Sequence, residues 1–319
     1  MILDEEKAIG KAAGACPCPS ILAVVVLYRM SPSQSPGYRS LLASSAALAP
    51  GELRLKIVVY DNTPESKQAY SLPDYVEYFP AARNDGIAGA YNHALQIAVT
   101  EDFEWLLTLD QDTTLPPQIL QRLSGLTKTL AENEQVAAIV PHLVEGSALI
   151  SPQYVGRWRA WAIPSQFIGI PDREITALNS ATTWRVRYLQ EIGGFDRRFW
   201  LDYLDHSLHK RTFQAGKRVY VAGDIEAEHA LTFLDIDKKM TAARLENILL
   251  AESAFTDIYK SPLERILLPL RWAKRYCLRF QKGTDRRLVQ TTLKAMLRQL
   301  FYSRRRRITQ WEQSLNDHH

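Results

Sequence analysis

Apolar and polar stretches alternate along this chain in a pattern that predicts strands connected by helices. Continuous aliphatic runs are typical of strands buried on both faces, and each ends at polar residues. The predicted strands are 20–28, 55–60, 75–79, the run ending at Asp110, 136–141, 182–188 and 218–222. Helical spacing of apolar residues separates most of them, at 37–48, within 83–99, at 117–133 and within 199–214. The alternation indicates an α/β fold with a mostly parallel central sheet.

Two stretches depart from this alternation. Residues 144–178 contain several prolines and few periodic signals, and we expect a loop-rich insertion that shapes an acceptor site. From about residue 235 the pattern is helical. We therefore predict a leader at 1–19, a catalytic domain at 20–234 and a basic helical extension at 235–319.

Composition and charge narrow the class of protein. The 319 residues are 46% hydrophobic and 23% charged, which is ordinary for a soluble globular protein. No apolar run approaches the ~18–20 residues of a membrane span, and residues 1–14 lack the apolar centre of a signal peptide. These features predict a cytoplasmic protein. Residues 260–319 carry a net charge of +11, whereas the rest of the chain carries −7.

The basic tail has several interpretations. Its cations could follow the phosphates of a nucleic acid, which would make the chain a non-enzymatic protein that binds anionic polymers. Leucines at helical spacing between the cations also fit an amphipathic helix on anionic lipid, at the inner face of the cell membrane. The tail helices could instead pack on the catalytic domain or form a homodimer interface. We expect no nucleic-acid partner.

Asp110 and Asp112 follow the apolar run that begins at Trp105. Because side chains alternate along a strand, the two carboxylates project to the same side. Carboxylate oxygens are ligands for divalent cations, and open α/β sheets bind ligands at the carboxyl ends of their strands. His229 follows the last predicted strand and is a candidate third ligand or phosphate contact, with a structural role as the alternative.

Other polar residues lie where strands end or helices begin. Asp61 ends the second strand, where a carboxylate can bind a nucleoside or simply cap a turn. Asn84, Gly86 and Asn92 belong to an Asn-x-Gly-x-x-Gly-x-x-Asn set at a helix start. Glycines there let the backbone approach a ligand, although a tight turn needs them equally.

A second cluster of carboxylates lies within 193–205. Asp202 and Asp205 are three residues apart and share a face if this part is helical. Nearby aromatic residues desolvate a carboxylate and raise its basicity, which suits a general base. The alternative is that the acidic residues only match the dipole at a helix N-terminus.

Together these segments resemble the GT-A fold, family 2 inverting glycosyltransferases, and most closely their bacterial rhamnosyltransferase-like branch. The resemblance spans about residues 20–232. The segments that carry it are Val-Val-Val-Leu-Tyr, Val-Val-Tyr-Asp-Asn, Asn-Asp-Gly-Ile-Ala-Gly-Ala-Tyr-Asn, Leu-Asp-Gln-Asp and Ile-Gly-Gly-Phe-Asp-x-x-Phe-x-x-Asp-x-x-Asp. Their order and spacing make the resemblance more specific than any single segment.

The resemblance implies sugar transfer from a nucleoside-diphosphate donor to a saccharide or polyprenyl-linked acceptor, in cell-surface polysaccharide synthesis. Asp112, with Asp110 and His229, would hold Mg²⁺ or Mn²⁺, and Asp205 would be the base, with Asp202 as second choice. The donor would be bound by Tyr28, Asp61, Asn84, Gly86, Asn92 and Asp110. The family's usual Glu-Asp pair is Leu204-Asp205 here, with Asp202 as the second carboxylate, and within the resemblance this variant favours deoxythymidine-diphosphate (dTDP) rhamnose as donor.

Two observations weigh against a simple assignment. Asn179-Ser180-Ala181 stands where the family usually has a Ser-Gly segment. Whether the backbone approaches the ligand here, as the family's glycine allows, is therefore left open. Leu-Asp-Gln-Asp-Thr also resembles the nucleophile motif of haloacid-dehalogenase-like phosphatases, in which Asp110 would form a covalent phosphoryl intermediate. That motif normally follows the first strand, whereas here two strand–helix units precede it.

Overall fold

The fold is built on a large central sheet. The computed structural model describes residues 18–64, 70–229, 240–281 and 285–316, so nearly all of the predicted leader at 1–19 lies outside the described residues. The strands in chain order are β1 (Ser20–Leu27), β2 (Arg54–Asp61), β3 (Val76–Pro80), β4 (Trp105–Asp110), β5 (Thr113–Thr114), β6 (Val136–Glu145), β7 (Ala148–Ser151), β8 (Gln153–Tyr154), β9 (Trp161–Ala162), β10 (Ile168–Gly169), β11 (Ile175–Thr176), β12 (Thr182–Arg185) and β13 (Arg218–His229).

Helices occupy much of the rest of the described chain. They are α1 (Pro36–Ala46), α2 (Gly86–Thr100), α3 (Ile119–Thr129), α4 (Val186–Glu191), α5 (Leu204–Gln214), α6 (Ala242–Tyr259), α7 (Pro262–Gln281), α8 (Arg286–Phe301) and α9 (Arg304–Asn316). Several begin at residues that favour helix starts. Ser35, for example, accepts a hydrogen bond from the N–H of Tyr38, and Pro36 takes the first helical position.

The main path of the sheet has the strand order β10-β13-β6-β12-β4-β1-β2-β3. β1 is parallel to both β2 and β4, β2 is parallel to β3, and β13 is parallel to β6. β12 is antiparallel to both of its neighbours and joins the two parallel groups. The predicted mostly parallel α/β sheet is therefore confirmed, and the parallel strands bring Asp61 and Asp110 to the same edge.

Both faces of the sheet are covered, which explains the uninterrupted aliphatic runs. Successive residues of β1 enter opposite core clusters, with Leu22 and Val24 on one face and Ile21 and Ala23 on the other. All four side chains are fully buried. Burial on both faces is the usual state of parallel strands, and it leaves the loops at the strand ends as the accessible part of the sheet.

Two segments differ from the sequence prediction. The stretch 182–188 was predicted as one strand, but β12 ends at Arg185 and the short helix α4 follows. The alternation of apolar residues over so few positions fits either state, so periodicity alone did not distinguish them. The last strand continues to His229 instead of ending at 222, across a register shift between Ala222 and Glu226.

The insertion at 144–178 contains more regular structure than predicted. β7 pairs with the end of β6, while β8, β9 and β11 form a separate three-stranded sheet. The members of this small sheet are two residues long, which is too short for a recognisable alternation of apolar and polar side chains.

The C-terminal helices pack against the large domain. The Phe199 ring lies 6.2 Å, centroid to centroid, from both Phe255 of α6 and Trp311 of α9. Arg307 of α9 donates from Nη2 to Oδ1 of the buried Asp257 on α6 at 2.7 Å. Across the described ranges, the helices are too short or too polar to cross a bilayer.

Candidate active site

Three potential metal ligands meet at the end of β4. Asp110 is its last residue, and β5 begins three residues later. Antiparallel pairing of β5 with β13 places His229 opposite Thr113, which brings the imidazole beside Asp112. Ligand atoms of Asp110, Asp112 and His229 all lie within 4.8 Å of one another. The extension of β13 beyond the predicted boundary is therefore what delivers His229.

This cluster suits a divalent cation. Two carboxylates and an imidazole are ligands of Mn²⁺, and Mg²⁺ uses one or two carboxylates with water and substrate phosphates. Nδ1 of His229 lies 3.8 Å from Oδ1 of Asp112 and 2.6 Å from Oγ1 of Thr113. The Thr113 hydroxyl fixes the orientation of the imidazole, as hydrogen-bonding partners of metal-binding histidines commonly do. The cluster thus fits the metal that the sequence predicts.

Two consecutive residues connect this cluster to Asp205. The Asn179 N–H donates to Oδ1 of Asp205 at 3.3 Å, and the Asp110 N–H donates to Oγ of Ser180 at 3.0 Å. The connection follows from β12, which runs antiparallel beside β4 and places the preceding loop over the end of that strand. Asp110, Asp112 and Asp205 therefore lie near one another, and the charges of all three act on the Tyr91 hydroxyl.

The loop before β12 adopts the backbone conformation that the family's usual glycine would permit. Ala181 has a φ of 59° and is fully buried. A non-glycine residue in this left-handed region is sterically disfavoured, by roughly 1–2 kcal/mol. Ala181 thus holds a backbone conformation that a glycine would adopt without strain.

Two of these carboxyl groups, those of Asp205 and Asp110, have raised pKa values. Burial raises the pKa of Asp205 to about 8, and the charge of Asp110 adds to the effect. Burial also raises the pKa of Asp110 to about 6, and the neighbouring Asp112 adds to it, while His229 opposes the increase. A carboxylate that binds protons this readily has the basicity required of a general base.

Asp202 has a different environment from Asp205. Its Oδ1 accepts a hydrogen bond from Nη2 of Arg244 at 2.6 Å, and its second oxygen pairs with Nη1. Arg244 lies on α6, so this ion pair connects the loop before α5 to the C-terminal helices. A carboxylate held at both oxygens by one guanidinium is a weaker base than Asp205.

The expected donor-binding residues lie at the neighbouring strand ends. Asp61 is almost fully buried at the end of β2, where it accepts hydrogen bonds from Tyr78 Oη at 2.6 Å and the Thr63 N–H at 2.8 Å. Tyr28 follows β1, and its side chain is 39% exposed. The Tyr28 N–H donates to Oε1 of Gln111, between the two aspartates, at 2.8 Å.

The residues of the Asn-x-Gly set have structural contacts. The side chain of Asn84 accepts from the Gly86 N–H at 3.0 Å. Gly86 has a φ of +68°, and a Cβ there would lie 2.4 Å from the Trp200 carbonyl oxygen. Asn92 uses both ends of its amide on the backbone of Phe195, at 2.8 and 3.0 Å. This set thus holds the start of α2 against the segment that leads to Asp205.

Several residues that support the site carry no signal in the sequence. Tyr91 donates from Oη to Oδ1 of Asp110 at 3.1 Å, and Oγ of Ser180 lies 2.6 Å from Oγ1 of Thr113. Tyr91 belongs to the Asn-Asp-Gly-Ile-Ala-Gly-Ala-Tyr-Asn segment and Ser180 to Asn-Ser-Ala, but their spacing from Asp110 in the sequence gives no sign of a contact. Arg244 lies 42 residues after its partner Asp202, and only the fold brings the two together.

Comparison with known proteins identifies similar folds. The fold is similar to that of GalNAc-T7 crystallised with UDP, GalNAc and Mn²⁺, with a TM-score of 0.53 and 13% identity over 75% of this chain. The alignment covers 49% of that structure, so the chain spans about half its length. A structure of residues 1–349 of S. aureus TarS covers 88% of this chain and 90% of its own, at 12% identity and a TM-score of 0.47, which is too low to support an argument.

No curated protein matches the sequence. The GT-A fold expected from the sequence is confirmed by the structural similarity. The expected helices at the C-terminus are also present. Residues 40–161, which contain Asp61, Asp110 and Asp112, match the glycosyl transferase family 2 model.

Proposed function

We propose that the protein is an inverting glycosyltransferase that moves a sugar from a nucleoside diphosphate to an acceptor hydroxyl. The observation that carries this proposal is the bridge of Asn179 and Ser180. The proposal is supported by the proximity of a basic carboxylate, Asp205, to the paired carboxylates Asp110 and Asp112. We assign the catalytic part to residues 20–234 and the helical extension to 235–319.

The proposed step is a single displacement at the anomeric carbon. Asp205 accepts the proton of the acceptor hydroxyl, the hydroxyl oxygen forms the new bond, and the bond to the nucleoside diphosphate breaks. The attack comes from the face opposite the leaving group, which inverts the anomeric carbon. Mg²⁺ or Mn²⁺ held by Asp110, Asp112 and His229 would offset charge on the diphosphate. Asp202, through its ion pair with Arg244, holds the loop before α5 against helix α6.

We propose dTDP-rhamnose as the donor, on the sequence resemblance to the rhamnosyltransferase-like branch. Asp61 and Tyr28 would contact the nucleoside, while Asn84, Gly86 and Asn92 shape the adjacent helix start. The test is a calorimetric titration of dTDP, UDP and GDP in the presence of Mg²⁺ or Mn²⁺, followed by the corresponding sugars. Tight binding of dTDP alone would support the donor, whereas a preference for UDP or GDP would refute it.

We propose a cytoplasmic location at the inner face of the membrane, because the C-terminal helices expose apolar side chains beside cations. The most exposed are Ile266, Leu270, Phe280, Leu300 and Phe301, each at least 57% exposed. Exposed apolar side chains flanked by arginines and lysines fit an interface that contains anionic lipid.

Vesicle flotation tests this location. The full chain should float with vesicles that contain phosphatidylglycerol and should remain at the bottom with pure phosphatidylcholine. Exchanging Ile266 and Leu270 for serine should abolish flotation, while Val99→Ser, at an exposed apolar position on α2, should not. A homodimer that covers this face would instead show as doubled mass in light scattering, with no flotation.

The alternative functions receive less support. The GT-A fold does not favour a haloacid-dehalogenase-like phosphatase, and Asp224, which would belong to its last metal motif, pairs instead with Arg122. Several tail cations are also engaged within the protein, including Arg298 with Glu246 and Arg307 with Asp257. These pairs reduce the charge available to an anionic polymer.

A further inference from the structure

A cavity of about 410 Å³ opens beside α5, next to the proposed base. The small sheet of β8, β9 and β11 forms one side of it, and helices α6 and α7 form another. Tyr203 and His206, which flank Asp205 in the chain, both line this cavity. Asp205 is not itself a lining residue, but its Cα lies about 3.8 Å from that of His206, so a saccharide that extends beyond the cavity can bring a hydroxyl group toward Asp205.

The walls of the cavity combine aromatic rings with an excess of positive charge. Trp158, Tyr203 and Phe255 contribute rings, against which the C–H face of a sugar can pack. Five cationic side chains line the cavity, namely Arg159, Lys210, Lys260, Arg271 and Arg275. Lys210 pairs with Glu174 and Lys260 with Glu264, so the remaining cations, Arg159, Arg271 and Arg275, share one lining carboxylate, Glu252.

The charge of Glu252 is already matched by its neighbours. Oε2 of this almost fully buried residue accepts from Nε1 of Trp272 at 2.8 Å and from Nη1 of Arg275 at 2.5 Å. Arg271 comes no closer than 4.0 Å, from its Nη2 to Oε1. Two guanidinium groups therefore share one carboxylate, and Arg271 contributes the surplus positive charge.

Two buried polar groups of the cavity also lack partners within the described ranges. Nε of Arg271 is buried without a hydrogen-bond partner, as are both ring nitrogens of His209. His209 is only 2% exposed, and burial lowers its pKa to about 3, so its ring is neutral and can donate one hydrogen bond. Unpaired buried donors are costly, and a bound ligand with acceptor oxygens would satisfy them.

From these observations we infer that the cavity binds a phosphate group of the acceptor, so that the acceptor is a phosphate-bearing saccharide. Arginine is suited to phosphate because its planar fork donates two parallel hydrogen bonds. The phosphate would be attached at or next to the sugar that carries the reacting hydroxyl. This inference rests on the proposed function for the identity of the acceptor, but the anion site itself does not.

The first test measures anion binding without transfer. In buffer containing EDTA, ³¹P NMR should show saturable line broadening of glucose 1-phosphate by the full chain. Arg271→Gln should weaken this binding at least about tenfold, the loss expected for a charge-assisted hydrogen bond. The matched control is Arg187→Gln, at a residue of α4 that is 73% exposed and does not line the cavity. Equal affinity of the two variants would overturn the inference.

The second test distinguishes this inference from the proposed function. Binding of dTDP with Mg²⁺ should be unchanged in Arg271→Gln. If dTDP binds but glucose 1-phosphate does not, the acceptor inference fails alone. If glucose 1-phosphate binds but no nucleoside diphosphate does, the glycosyltransferase proposal fails and the anion site remains.

Transfer assays then identify the source of the phosphate. A water-soluble sugar phosphate and a polyprenyl-diphosphate-linked sugar in detergent should be compared with the same neutral sugar. Transfer to either phosphate-bearing acceptor, reduced in Arg271→Gln, would support the inference and name the source. Equal transfer to the neutral sugar would contradict it.

Discussion

Both oxygens of Asp202 are paired with the Arg244 guanidinium, whereas Asp205 accepts a hydrogen bond from the Asn179 N–H and has no described ion pair. Asp205→Asn should therefore reduce sugar transfer by roughly 10²–10⁴-fold, the usual contribution of a general base, with unchanged donor affinity. Single-turnover transfer and calorimetric donor binding measure the two effects. A variant that transfers normally would place the base elsewhere.

Disrupting the ion pair should mainly affect stability. Asp202→Asn and Arg244→Gln should each lower the free energy of unfolding by about 1–3 kcal/mol, the range for hydrogen bonds to charged groups. Urea denaturation checks the values. If Asp202 were the base, its variant would lose far more transfer than Arg244→Gln at similar stability, so comparison of the pair distinguishes the two roles.

Asp112→Ala should weaken binding of a nucleoside diphosphate only when a divalent cation is present. The Asp112 carboxylate lies within 4.8 Å of the ligand atoms of Asp110 and His229, and its loss would remove one of three proposed metal ligands. Calorimetry of dTDP with Mn²⁺ and with EDTA measures the difference. Asp172→Asn, at a side chain that is 71% exposed, serves as control. Loss of affinity in EDTA as well would argue against a metal-mediated role.

The raised pKa of Asp205 predicts how the stability of the metal-free protein depends on pH. The folded protein binds a proton on Asp205 more tightly than the unfolded chain does. Protonation of Asp205 therefore contributes fully to the free energy of unfolding below the ordinary pKa of 3.8, and this contribution is lost as pH rises through about 8. Between pH 5 and 8, stability of the native protein should fall relative to Asp205→Asn, by up to about 1.4 kcal/mol per pH unit. Urea denaturation in EDTA measures this difference. Parallel pH profiles would contradict the shift.

Two glycines with positive φ allow steric contact to be separated from backbone strain. Gly86→Ala places a Cβ 2.4 Å from the Trp200 carbonyl, whereas Gly51→Ala, at φ +76°, meets nothing within 4 Å. Gly51→Ala should cost about 1–2 kcal/mol for its left-handed backbone. Gly86→Ala should cost clearly more and should also reduce transfer, because α2 would move away from the segment leading to Asp205. Equal thermal stability of the two variants would contradict the close approach.

Trp311 of α9 tests whether the C-terminal helices are part of the domain core. It is 2% exposed and packs on Phe199, so Trp311→Ala should lower stability by roughly 3–5 kcal/mol. Trp158→Ala, at a ring that is 60% exposed, is the control and should leave stability nearly unchanged. Unfolding of Trp311→Ala in two separate transitions would show instead that the extension folds independently.

The sequence predicted the sheet and the carboxylate pair at its edge because both depend on local patterns, whereas His229 joins the pair only through the pairing of β5 with β13. Buried strands read as aliphatic runs, and Asp110 and Asp112 follow such a run directly. The small sheet of the insertion was not predictable because its strands are two residues long and gain their stability from pairing. The role of Asp202 was also hidden, since its partner Arg244 belongs to a helix far along the chain.

The Phe199 contact with Trp311 affects how the chain folds during its synthesis. Phe199 belongs to the segment that positions Asp205, yet its hydrophobic environment is complete only when α9 is in place. The buried carboxylate of Asp257 likewise waits for Arg307 of the same late helix. Nascent chains that end before residue 304 would therefore expose apolar surface and leave the Asp257 carboxylate without Arg307, and exposed apolar surface is what chaperones and proteases act on.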